Sequence, residues 1–101
     1  MQKCKITVLK TTFDEELAQK YAVDGFGPCP LHKEGDVFIT DHNKPEALCT
    51  QAWNCIHHFV FALSLGADYF FWGWNKEKGV AITSCNDGMR PVIFKIERME
   101  E

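Results

Sequence analysis

Positive charge is what this sequence is short of. Its 11 Lys and Arg are outnumbered by 14 Asp and Glu, and the cations are scattered along the chain. Without a basic stripe there is no electrostatic footprint for nucleic acid. Nor is there a basic amphipathic segment suited to a membrane surface. Long apolar runs are also missing. The longest, Cys55 to Ala67, is broken by His57, His58 and Ser64 and is too short to span a bilayer. The opening MQKCKITVLK has neither an apolar core nor a small-residue cleavage site, so no signal peptide is expected. No glycine-rich phosphate loop, Ser-His-Asp set or H-E-x-x-H helix occurs. A cytoplasmic protein with no nucleic-acid or membrane partner is the expectation. Thiols stay reduced in that compartment, and five cysteines cannot all pair. Metal binding, thiol chemistry or packing therefore explains the cysteines better than a disulfide framework.

What is present suits a single domain over residues 1–101, with 46% hydrophobic and 25% charged residues. Residues Lys3 to Leu9 alternate and are β-branched, which predicts a strand with Cys4, Ile6 and Val8 inward. Asp14 reads as the cap of a short helix whose buried side is Leu17, Ala18 and Tyr21, ended by Gly25 and Gly27. A stiff loop punctuated by Pro28 and Pro30 follows, then a short strand from Asp36 to Thr40. Thr50 reads as the cap of a long helix reaching about Leu65. Trp53, Ile56, Val60 and Leu63 form its apolar stripe, widened by Ala52 and Phe59. Phe61 and Leu65 fall on the opposite side beside His58, which suggests a partner subunit or a covering loop. The run Phe70-Phe71-Trp72-Gly73-Trp74 has more rings than a small interior needs, so an interface or pocket wall is expected. Val80 to Cys85 and Pro91 to Glu97 then form a hairpin about Asp87-Gly88. The sum is an α+β fold: a mostly antiparallel sheet or small open barrel of about four strands, with one long and one short helix. A ferredoxin-like arrangement is the alternative, and the two chain-end strands are candidates to pair.

Cys29, Cys49 and Cys85 stand at element ends, whereas Cys4 and Cys55 stand inside elements where packing explains them. The stretches GPCPLHKEGD, CTQAWN and CNDGMRPVIFKIER that carry these three thiols resemble a family of small, uncharacterised bacterial proteins of roughly a hundred residues. The likeness runs from the first strand to Arg98. It implies a bacterial origin and a common small fold, and no activity. The family pattern often has a second cysteine beside the one matching Cys85, where this chain has Ser84.

Cys29 and His32 have the C-x-x-H spacing that lets one loop offer two ligands to a zinc or other thiophilic ion. Cys49 and Cys85 would complete a Cys₃His set, or the three thiols alone would leave a position open. Otherwise His32 is a solvated loop residue. The first functional expectation is thus a thiol-lined pocket of Cys29, Cys49 and Cys85, with His32 a possible fourth group, taking a metal ion or a soft ligand. The second is a small enzyme acting on an anionic metabolite, with Cys49 or Cys85 as nucleophile. There Arg90, beside Asp87, would clamp the anion; otherwise the two form a salt bridge that stiffens the turn. His42 is the freest histidine to serve Cys49, since His57 and His58 lie two turns away. The third is a homo-oligomeric module whose interface is the aromatic run with Phe61 and Leu65.

Overall fold

The computed structural model describes residues 1–100. Its elements are β1 (Cys4–Thr11), α1 (Glu15–Tyr21), β2 (Val37–Thr40), α2 (Thr50–Ser64), β3 (Val80–Ser84) and β4 (Val92–Arg98). The strands form one open sheet in the order β2-β1-β4-β3, and every ladder is antiparallel. The α+β expectation holds, in its open-sheet form, and the chain-end strands β1 and β4 do pair at the centre. A ferredoxin-like arrangement is excluded, because there the strands joined through a helix run the same way and do not pair, whereas β1 and β2 are antiparallel neighbours.

The alternation of β1 and β4 explains the layering. Cys4, Ile6 and Val8 of β1 and Val92, Phe94 and Ile96 of β4 point to one face and are at most 2% exposed. Their neighbours Lys5, Thr7, Lys95 and Glu97 point to the other, and no helix covers them. α2 links the two edge strands β2 and β3, so it must cross the sheet, and it does so on the apolar face. Its stripe of Ala52, Ile56, Val60 and Leu63 is buried there. Each large side chain so buried contributes about 1.5–3 kcal/mol. Cys4 belongs to this layer; burial pushes its thiol pKa up against the opposing effect of Arg98, and its Sγ lies 3.7 Å from the Val60 carbonyl. The packing explanation for Cys4 and Cys55 stands, since Cys55 packs partly buried on the same cluster.

Two local expectations change. The cap of α1 is Asp14, whose carboxylate accepts from the Leu17 N–H, yet only Ala18 is buried. Tyr21 is 76% exposed. Among the described residues α1 packs on no strand and no other helix, so the sheet never meets its apolar side. The N-cap of α2 is Cys49 rather than Thr50, and the Cys49 side chain makes no capping hydrogen bond.

At the other end of α2, Arg98 gathers the chain. Its Nη1 donates to the carbonyls of Leu63 (3.2 Å) and Ala67 (2.7 Å), and its Nη2 meets Asp68 Oδ1 at 2.7 Å. A cation at a helix C-terminus satisfies carbonyls that have no partner within the helix. The Gly79 N–H donates to the Asp68 carbonyl (2.8 Å) and the Arg98 N–H to the Gly79 carbonyl (2.9 Å). The aromatic segment 69–78 therefore leaves and rejoins the body at one tight neck. At its crown Phe71, Trp72 and Gly73 are all left-handed, with φ of 49°, 62° and 78°. Two bulky side chains in that region cost roughly 1–2 kcal/mol each.

Candidate functional site

The three cysteine-bearing stretches meet at the end of the sheet that holds the α2 N-terminus, and side chains between them explain why. In the hairpin, Cys85 and Val92 face each other. The Cys85 N–H donates to the Val92 carbonyl (3.1 Å), and the Val92 N–H points at Cys85 Sγ (3.3 Å). The tip beyond them is longer than a two-residue Asp-Gly turn, and Asp87 shapes it. Its Oδ1 accepts from the Met89 and Arg90 N–H groups at 3.0 and 3.2 Å, and its Oδ2 from Arg90 Nε at 3.2 Å. Partial burial pushes the Asp87 carboxyl pKa up, but these backbone and guanidinium donors outweigh it and hold it below the usual value.

Arg90 then leaves the hairpin. Its Nη1 donates to the Gly27 carbonyl at 3.0 Å, and its guanidinium lies 4.1 Å over the Phe26 ring. Such stacking adds about 0.5–1 kcal/mol or more as solvent is excluded. The stiffening Asp87–Arg90 pair is present, and the same guanidinium pins the Pro-Cys-Pro loop to the hairpin. An anion at Arg90 would have to compete with Asp87 and Gly27, which the guanidinium already serves.

His32 makes the second link. It is only 5% exposed, wedged edge-on against Phe38 (5.5 Å) and Phe94 (6.2 Å). Its Nε2 accepts from the Cys49 N–H at 3.2 Å, which places the ring proton on Nδ1. Burial lowers its pKa, partly offset by the Asp36 carboxylate. His32 is thus neither a solvated loop residue nor a ligand with a free lone pair: it holds the N–H of the α2 N-cap residue, Cys49. Gln51 makes the third link, its Nε2 donating to Asn86 Oδ1 at 3.0 Å. The loop, the helix start and the hairpin are each tied to the other two.

Cys29, Cys49 and Cys85 all sit partly buried against the same core cluster at this junction. The metal expectation is corrected here. No group of three or more His, Cys, Asp or Glu among the described residues is placed to hold one ion, so Cys29, His32, Cys49 and Cys85 do not form a tetrahedral set. With Nε2 of His32 engaged by Cys49, the C-x-x-H pair loses the donor that the spacing offered. A space of about 370 Å³ beside α1 is lined by Phe13, Ala18, Val23 and Phe26 among others, and one of about 260 Å³ by Leu31, His32 and Phe38 among others; neither includes a cysteine.

Comparison with known proteins is brief. No protein-family model, curated protein or solved structure matches this chain. The junction is therefore read from its own geometry.

The histidine bonded to Cys49 is not His42, the freest candidate in the sequence. His42 stacks near Phe61 (5.3 Å), and His57 Nδ1 lies 3.2 Å from the Trp53 carbonyl on an exposed side of α2. His32 is the histidine that reaches Cys49, at the backbone and not at sulfur. Gln51, Asn86 and Phe26 went unnoticed as well. The available signal was that each lies within three residues of a singled-out cysteine and carries a group able to bridge to another segment.

Proposed function

We propose that the three-way junction is a thiol site for a soft small-molecule ligand, contacted by Cys29, Cys49 and Cys85. The observation that supports this is the triangulation itself: three stretches remote in sequence, each with a half-buried thiol, are tied pairwise by His32–Cys49, Gln51–Asn86 and Arg90–Gly27. Those stretches are also the ones by which the sequence resembles the small bacterial family. Thiols offer polarisable atoms with some solvent access, held by a frame that limits their movement. His32, Asp87 and Arg90 are frame residues in this reading. The ligand is a soft or electrophilic organic group rather than a chelated ion, because the side chains offer no ready three-ligand set.

Native-state alkylation with iodoacetamide, read peptide by peptide, tests this. Cys29, Cys49 or Cys85 is expected to label faster than Cys4 and Cys55, and phenylarsine oxide, which bridges neighbouring thiols, is expected to bind once per chain and raise the melting temperature. Labelling of all three no faster than Cys55, with no arsenical binding, would remove the proposal.

A further inference from the structure

We infer that the aromatic segment 69–78 is the contact surface of a homodimer. The inference is independent of the thiol site. Its first ground is how the segment is built. The neck formed by Asp68, Gly79 and Arg98 fixes the ends, and the rings step outward from the core in a connected series. Buried Phe59 meets Phe70 at 5.1 Å and Phe71 at 6.0 Å; Phe71 meets Trp74 at 5.5 Å; Trp74 meets Trp72 at 6.5 Å. The outermost ring, Trp72, is 92% exposed, and Trp74 is 75% exposed. A connection from α2 to β3 needs no such rings. Carried on a left-handed crown, they form an apolar projection of the kind that anchors interfaces.

Area, shape and charge identify the occupant as a second copy. At about 150–250 Å² per aromatic side chain, the exposed fractions of Tyr69, Phe71, Trp72 and Trp74 leave roughly 400–700 Å² in water. The upper end of that range approaches the roughly 800 Å² that each partner gives to a standard interface. The chain is also elongated, with extents of 46 × 31 × 20 Å and a radius of gyration of 14.5 Å, against about 13 Å for a compact chain of this length. Lys76, Glu77 and Lys78 border the rings with both signs of charge. Mixed charge suits reciprocal pairing across a two-fold axis, whereas an anionic bilayer would call for a cluster of four or more basic residues.

Sedimentation equilibrium on the whole chain tests the inference, using Trp72→Ser and the Trp72→Ser/Trp74→Ser pair, both at exposed positions. Wild type is expected to be dimeric at about 50 μM, above the micromolar end of the range for interfaces of this size. The double variant is expected to raise the dissociation constant at least about tenfold while keeping its circular dichroism and melting temperature. A monomeric wild type overturns the inference, as does a dimer that the double substitution leaves intact. Cosedimentation of monomeric wild type with vesicles of phosphatidylcholine and phosphatidylserine would also overturn it, by assigning the rings to a lipid surface.

Discussion

Replacing His32 by phenylalanine separates its hydrogen bond from its packing. The new ring can stay between Phe38 and Phe94, where the imidazole lies now, but it cannot accept from the Cys49 N–H. A buried donor left without an acceptor costs about 1–3 kcal/mol. A domain of this size has only roughly 5–15 kcal/mol in total. Urea unfolding followed by tryptophan fluorescence reads the change as a midpoint lowered by about 1 M with an unaltered slope, for an m-value of about 1–3 kcal/mol/M. The pH dependence gives a second, signed readout. Burial keeps His32 neutral in the fold, with Asp36 pulling weakly the other way. In the unfolded chain the imidazole takes up a proton as pH falls through about 6.5. The contribution of neutral His32 is thus complete above that pH and is lost progressively as pH falls toward the lower folded-state value. Wild type should lose stability between pH 7 and pH 5 by more than His32→Phe does, and the difference isolates this ring from other titrating groups. Equal pH slopes in the two proteins, or a loss below about 0.5 kcal/mol at pH 8, would refute the assignment of His32 as the latch on α2.

Two further outcomes follow from the frame. Arg98→Met removes the guanidinium from the Leu63 and Ala67 carbonyls, of which Leu63 keeps the Gly66 N–H, together with the bond to Asp68; a loss of about 2–4 kcal/mol is expected, seen in calorimetry as a melting temperature lower by roughly 10–20 °C, and a shift of only a few degrees would count against Arg98 as the anchor. Asp87→Asn should weaken the fold at neutral pH and flatten its acid limb, because the lowered carboxyl pKa gives stability that is full above the ordinary carboxylate range and lost as pH falls through the folded-state value; acid-unfolding curves that superimpose for wild type and variant would contradict this.

The legible parts of the fold were those set by local pattern. The period-two alternation of Cys4-Lys5-Ile6-Thr7-Val8 and the 3.6-residue stripe of α2 each choose a buried face without reference to any other segment. The misreadings came where a distant group intervened. Tyr21 lies on the apolar side of α1, yet among the described residues no strand or other helix packs on α1, which follows the end of central strand β1. Cys49 stands in place of Thr50 as the N-cap, and its N–H is taken up by the distant His32 imidazole. Arg98 lies one residue past the strand expected from Pro91 to Glu97, and pairing of β4 beside β1 and β3 carries it under the end of α2.

By itself the sequence determined which segments become strands and helices, which of their faces turn inward, and that the thiols divide into two packed within elements and three at element ends. Those properties depend on neighbours within a turn or two of the chain. Only the tertiary structure decided that the three element ends meet, that His32, Gln51 and Arg90 tie them together, and that the meeting place holds no tetrahedral ligand set. The ties span 17, 35 and 63 positions along the chain. Contacts at such separations are set by strand order and by the passage of α2 across the sheet, which no local periodicity encodes.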